Sequence, residues 1–394
     1  MAIDLGTLNG PQRQAVECTE GPLLVLAGAG SGKTRVLTYR IANIIDTTDT
    51  APWEILAITF TNKAATEMRE RLYGLIGQRA RGMWVSTFHS MCVRILRDNA
   101  DLIGFTRNFA IYDADDTKRL AKDVMQNLGY DTRTYPDAAI RSQISNAKNE
   151  LVAPEDLATR RKDPFGKVVA NVYKAMQRRL ARANAMDFDD LLFKTYELFV
   201  ENPHVCAEYA QRFHYILVDE YQDTNKAQYE IAKLLAQGHG NLMVVGDDDQ
   251  SIYSWRGADI RNILEFERDW PDAVTVKLEQ NYRSSAVILD AANAVIANNK
   301  GRKPKRLFTE QAGGEKVSVY LAAEERDEGR WIAGEVQRLH DGGMPYGQIA
   351  LFYRTNAQSR TLEDMLLRAG VPYRIYGGTR FFDRAEIRDL SAYL

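Results

Sequence analysis

Leu23-Leu24-Val25-Leu26-Ala27-Gly28-Ala29-Gly30-Ser31-Gly32-Lys33-Thr34 is the stretch that decides the fold, because five apolar residues run into a glycine-rich turn ending in Lys-Thr. Val36, Leu37, Ile41, Ile44 and Ile45 then recur at helical spacing. A buried strand, a Gly-rich turn and a helix, in that order, turn a G-x-x-x-x-G-K-[ST] match into a phosphate cradle. Ala27 replaces the first glycine of the pattern. Gly28, Ala29, Gly30, Ser31 and Gly32 are the candidate cradle, their N–H groups and the helix N-terminus facing phosphate oxygens. Lys33 is placed to reach the β and γ phosphates, and Thr34 to offer its hydroxyl to Mg²⁺, which prefers oxygen ligands.

Outward from this point, Ile55–Phe60 and Trp84–Thr87 read as further buried strands alternating with helices such as the one carrying Ala65, Met68 and Leu72. That alternation predicts an α/β fold with a parallel sheet covered by helices. Between Phe109 and Met186 the text turns charged and helical, with Val168, Val169, Val172, Tyr173, Met176 and Leu180 as one apolar stripe. Strands return at Tyr215–Val218 and Leu242–Val245. The expected organisation is one discontinuous α/β domain, residues 1–108 and 189–273, interrupted by a helical insertion at 109–188. A second α/β unit is expected over 274–394, with strands at Val274–Leu278, Val317–Leu321 and Ile349–Tyr353. Asp383–Leu394 reads as helix with no Gly or Pro stop, so that second unit is expected to be incomplete.

A site that hydrolyses a bound nucleotide needs carboxylates at the end of a neighbouring strand, and Asp219-Glu220 after Tyr215–Val218 supplies two. Asp219 is the candidate for ordering the Mg²⁺ shell, Glu220 for the base that orients the attacking water. A second chemistry stands beside the first. Phe60, Phe88, Tyr253 and Trp255 follow strands, next to Thr61, Asn62, Thr87, His89 and Arg256. Single strands are held without sequence preference by aromatic platforms and phosphate-tracking donors. Taken singly each aromatic reads more readily as a core residue; their shared place in post-strand loops favours binding.

Composition sets limits on the rest. The 394 residues are 45% hydrophobic with a formal net charge of −2. No apolar run reaches the roughly 20 residues of a membrane-spanning helix, and MAIDLGTLNG lacks the regions of a signal peptide, so no membrane partner and a cytoplasmic setting are expected. Cys18, Cys92 and Cys206 lie far apart and read as free thiols rather than a disulfide or zinc framework. Basic residues concentrate at Arg160–Arg182 and at Gly301–Arg306.

Asp219-Glu220-Tyr221-Gln222-Asp223 and Gly246-Asp247-Asp248-Asp249-Gln250-Ser251-Ile252-Tyr253-Ser254-Trp255-Arg256-Gly257 resemble the UvrD, PcrA and Rep branch of superfamily 1 DNA helicases. Leu8–Gln12, Ala57–Met68, Ser86–Ser90, Gln280–Ser284 and Tyr353–Arg360 are similar to further motifs of that family, in the same order. The resemblance implies RecA-like motor domains, ATP and Mg²⁺ as cofactors, and movement along single-stranded DNA with 3′ to 5′ polarity in repair or replication. Gln12 would read the adenine edge, and Arg35 and Tyr282 would sandwich the ring. Gln250 would sense the γ-phosphate, and Arg283, arriving from the second unit, would act as an arginine finger. Asn356 joins the DNA contacts. Partners would be single-stranded DNA or a single-strand/double-strand junction, with DNA repair proteins, and the chain a monomer or weak dimer. Two late motifs of the family are missing from this stretch, so unwinding by it alone is expected to be poor. A nucleotide- and DNA-binding module without catalysis, and the ATPase part of a RecB- or AddA-like helicase-nuclease, remain open alternatives.

Overall fold

Strands apolar on both faces need cover on both sides, and this chain supplies it. In the computed structural model, which describes residues 3–376, eight strands form: β1 (Leu23–Ala27), β2 (Ile55–Thr59), β3 (Trp84–Thr87), β4 (Ala110–Tyr112), β5 (Ala185–Asp187), β6 (Tyr215–Val218), β7 (Leu242–Gly246) and β8 (Val274–Leu278). Six of them make one sheet in the order β3-β2-β6-β7-β1-β8, every pairing parallel. β1, β2, β6 and β7 are buried throughout.

Side chains leave each strand alternately to the two faces. Leu24, Leu26, Leu56, Ile58, Ile216, Val218, Leu242 and Val244 therefore join one core, while Leu23, Val25, Ile55, Ala57, Leu217, Met243 and Val245 join the other. The second core receives α1 (Gly10–Glu17), α2 (Lys33–Thr47) and α3 (Asn62–Ile76) through Ala15, Val16, Val36, Leu37, Ile41, Ala65, Met68 and Leu72. The first takes Met91, Cys92, Ile95 and Leu96 of α4 (Phe88–Asp98).

The insertion forms four helices, α5 (Ala114–Asn127), α6 (Asp137–Asn149), α7 (Pro154–Arg160) and α8 (Pro164–Arg182), around a core containing the expected stripe from Val168 to Met176. β4 and β5 pair in parallel and tie the two ends of this segment together. Then come α9 (Phe188–Glu201), α10 (Pro203–Arg212) and α11 (Lys226–Ala236), and the short α12 (Arg261–Leu264) and α13 (Phe266–Asp269). Lys148, at the C-terminal end of α6, is buried between the carboxylates of Asp187 at 2.5 Å and Asp190 at 2.8 Å in the capping turn of α9. The insertion is thus pinned to the sheet domain.

Two expectations about strands are corrected. Val274–Leu278 does not open a new sheet: β8 pairs with β1 from Leu23↔Val274 to Ala27↔Leu278 and buries Val276 and Leu278 in the same core. The compact units divide at 315/316, α14 (Ala286–Ile296) falling in the first. In the second, described by itself, α15 (Glu325–Asp341) and α16 (Ser359–Arg368) share a small core of Ala333, Val336, Met365, Leu366 and Val371. Val317–Leu321 and Ile349–Tyr353 join no ladder among the described residues, and Val319, Leu321 and Phe352 are exposed. Alternation marks the faces of a strand and not its neighbour, so the residue order is silent about pairing. The residues from 383 read as helix lie outside the described part.

Candidate functional site

Because the strands are parallel, their C-terminal ends share one rim, where ligands of such sheets gather. The loop after β1 carries the glycine-rich turn, that after β6 Asp219-Glu220, and that after β7 Asp247–Gln250. Phe60–Asn62 follow β2, Thr87–His89 follow β3, and Gln280–Arg283 follow β8.

At the centre, Lys33 Nζ lies 3.1 Å from Glu220 Oε2. Glu220 holds φ 50°, a left-handed conformation that a side-chain-bearing residue adopts at a cost of about 1–2 kcal/mol. It stands at the head of the loop, as the N-cap of the 3₁₀ turn Tyr221–Asp223. Gly32, at φ 92°, is the N-cap of α2 and has no side chain with which to cap it. The first N–H groups of α2 are therefore left for an anion or water. Gly30, at φ 68°, has no room for a Cβ, which would stand 2.7 Å from Asn281 Nδ2.

Gln222 is one residue that sequence reasoning missed. Its Nε2 donates to Glu220 Oε2 at 2.8 Å, and its Oε1 accepts from the Asp247 N–H at 3.0 Å. Gln250 Nε2 donates to the Asp247 carboxylate. Lys33, Glu220, Gln222, Asp247 and Gln250 are thus one connected network. Its position two residues after Glu220 was the available signal, but side-chain direction in an irregular loop has no period to read.

Asp219 closes β6, its backbone N–H donating to the Ile58 carbonyl. Burial, then the neighbouring Glu220 charge, push its carboxyl up to about 6 against the pull of Lys33. Burial and Glu220 do the same to Asp223, also up to about 6. Two carboxylates packed beside one ammonium, with the Thr34 hydroxyl in the first turn of α2, form an oxygen donor set short of positive charge. That chemistry suits Mg²⁺.

Gln12 is buried and occupied at both ends of its amide: Oε1 accepts the Asn9 N–H in a capping box, and Nε2 donates to the Ser31 carbonyl at 2.9 Å. It braces the turn. Ser31 Oγ donates to the Gly28 carbonyl at 2.7 Å, Arg35 donates to Thr7, and Tyr282 accepts at its hydroxyl from Asn9 Nδ2 at 2.8 Å. Asn9 therefore gathers Gln12 and Tyr282 on one side of the turn. Arg283 follows β8 and falls within the compact unit that ends at residue 315. Its Cβ lies 2.8 Å from the point where a side chain on Gly30 would begin.

A cleft of about 590 Å³ opens along the same rim. Phe60 and Tyr253 stack with centroids 5.0 Å apart, and Trp255 follows Tyr253 at 6.3 Å. Trp255 is 68% exposed. Thr61, Asn62, Thr87 and His89 line the cleft, as do Asp219 and Glu220. His89 stacks on Phe188 at 3.9 Å, and burial holds its imidazole down at about 4, hence neutral. Phe88 also lines the cleft, although its ring is largely buried and packs in the core. Phe188, exposed at the start of α9, and Ser142, Asn146 and Asn149 on the α6 wall were not foreseen. An aromatic directly after the Asp187 cap was the signal for Phe188. The α6 residues carried none, because only the tertiary fold brings the insertion to the rim. The Arg256 side chain lies outside the described part. Asn356 belongs to the second unit, exposed at the start of a 3₁₀ turn.

Three further surfaces are settled by pairing or burial. In the basic knot Arg302 and Lys305 turn inward onto the acidic triplet Asp247-Asp248-Asp249, while Lys303 pairs with Glu267 and Arg306 is exposed. Of the thiols, all free, only Cys92 is fully buried. No helix among the described residues is long and apolar enough to cross a membrane.

The comparisons agree with the geometry. Residues 8–271 match the UvrD/REP helicase N-terminal domain, and residues 276–394 the UvrD-like helicase C-terminal domain. The ATP-dependent DNA helicase PcrA of Staphylococcus epidermidis is 53% identical over 387 residues, covering 98% of this chain and 53% of that protein. The PcrA protein of Staphylococcus aureus is 53% identical over 390 residues, covering 99% of this chain and 53% of its own. The chain spans about half the length of these curated relatives. With the phosphate turn, its paired carboxylate and the aromatic cleft on one rim of a parallel sheet, the chain belongs to the UvrD/REP helicase family.

Proposed function

We propose that this chain is the ATP-hydrolysing, single-strand-gripping part of a DNA helicase or translocase, acting on single-stranded DNA or a single-strand/double-strand junction. The observation that carries the reading is that Glu220 both pairs with Lys33 of the phosphate turn and lines the aromatic cleft. Strand binding and hydrolysis then act on one carboxylate.

In this reading Lys33 leaves Glu220 for the β and γ phosphates, and the freed carboxylate orients the attacking water. Thr34 and Asp219 would hold Mg²⁺, which would supply neutralisation of the phosphate charge. Gln250 reports the γ-phosphate through Asp247 and Gln222, and Arg283, beside Gly30, stabilises charge in the transition state. Phe60, Tyr253 and Trp255 stack bases, with Thr61, Asn62, Thr87, His89 and Arg256 along the backbone of the strand. Asn356 as a further DNA contact, the 3′ to 5′ polarity, the place in repair or replication, and a monomer or weak dimer acting with DNA repair proteins are taken from the family resemblance.

ATP turnover by the purified chain with and without oligo(dT) tests the proposal. A motor is stimulated by the oligonucleotide, whereas a nucleotide-binding module shows the same negligible rate in both.

A further inference from the structure

Asp247, Asp248 and Asp249 bring their carboxylate oxygens within 4.8 Å of one another, with Asp247 and Asp248 buried. Such a cluster is unfavourable without compensation. Compensation comes from far along the chain. Lys305 Nζ lies 2.9 Å from Asp247 Oδ1 and 2.8 Å from Asp249 Oδ2, and also pairs with Asp248. Arg302 grips Asp249 with two parallel bonds at 2.8 and 2.6 Å, and the Lys303 N–H donates to Asp248 at 2.7 Å. The ammonium of Lys305 occupies the place a cation would take.

The same segment also rests on the phosphate turn. Leu307 sits so close to Gly28 that a Cβ there would stand 2.2 Å from Leu307 Cδ2. Phe308 pairs with Gln280 in a parallel bridge, and its carbonyl accepts the Asn281 N–H, while Asn281 Nδ2 donates to the Ala29 carbonyl at 2.6 Å. Residues 302–308 are therefore a strap touching both halves of the site. From Lys305 an unbroken series of polar contacts runs through Asp247 to Gln250, and through Asp247 and Gln222 to Glu220 and Lys33.

We propose that Lys305 is a positioning residue for hydrolysis: by clamping Asp247 it fixes Gln250 and Gln222 against Glu220, so the strap over the phosphate turn sets the geometry of the hydrolytic carboxylate. The inference rests on the ATPase reading above. Neutralising buried charge is one role of Lys305 and holding geometry is another, and an experiment separates them.

Lys305→Met leaves three carboxylates facing Arg302 alone, and Lys305→Met/Asp248→Asn relieves one of those charges without restoring the clamp. Melting temperature, ATP KM and oligo(dT)-stimulated kcat are measured on the full chain for wild type and both variants. The double variant is expected to regain wild-type melting and to keep KM within about threefold, with kcat still down about 10- to 100-fold. Full recovery of kcat with melting overturns the inference, since Lys305 then only neutralises charge, and failure of both variants to fold overturns it too, since Lys305 is then needed for the fold itself. An unsubstituted chain with no turnover removes the ATPase reading and the inference together, whereas wild-type turnover with an equal kcat in the double variant removes the inference alone.

Discussion

Asp219 carries the clearest titration signature at the scale of single residues. Its carboxyl is raised in the folded chain from the ordinary 3.8 to about 6, because burial and the Glu220 charge disfavour ionisation. A group whose folded pKa is raised adds stability that is fully present below the unfolded pKa and is lost as pH rises through the folded one. Metal-free protein is therefore expected to gain about 1 kcal/mol from this residue at pH 5 relative to pH 7.5, against whatever other groups contribute. Urea midpoints of wild type and Asp219→Asn at the two pH values isolate that gain. An Asn variant with the same pH response as wild type would show that Asp219 titrates normally. Glu220 teaches a related lesson, since its left-handed backbone could not be read from the residue order. The sequence marked the acid, and only the fold showed the strained turn that aims it.

Among the elements, the loops after β2 and β7 hold the aromatic stack. Phe60→Ala and Trp255→Ala are each expected to weaken oligo(dT) binding by about 1–3 kcal/mol, the usual worth of one base stack. Nucleotide affinity should change less than strand affinity, because the glycine-rich turn is braced by Gln12 and Ser31 and its lysine pairs with Glu220. Fluorescence anisotropy with labelled oligo(dT) checks this; unaltered affinity in both variants would move the strand elsewhere. Much at this scale was legible. Apolar runs of four or five residues marked β1, β2, β3, β6 and β7, and helical spacing marked α2, α3 and α8, since burial on two faces or on one stripe writes itself directly into residue order. Partners were not legible. β8 looked like the start of a new sheet because alternation is identical at the edge of an old one, and the depth to which Phe88 is buried behind the cleft could not be read from its place after β3.

Across the whole molecule, two long-range links join what the sequence kept apart. Lys148 seats the insertion on Asp187 and Asp190, which makes α6 a fixed wall of the cleft. Arg302 and Lys305 seat the strap on the acidic triplet more than 50 residues earlier. Both are buried ion pairs, and charge composition alone could place neither, since a basic knot in a sequence is equally a solvated face or a nucleic-acid patch. The rim itself was foreseeable, because parallel strands put every post-strand motif at one end.

The central claim is that Lys33 and Glu220 converge on one bound triphosphate. ATP affinity and turnover of Lys33→Ala test it most directly. Weakened ATP binding and turnover reduced at least about 100-fold are expected, in line with loss of a principal electrostatic contact to the transferred phosphate. Wild-type affinity and turnover in Lys33→Ala would contradict it.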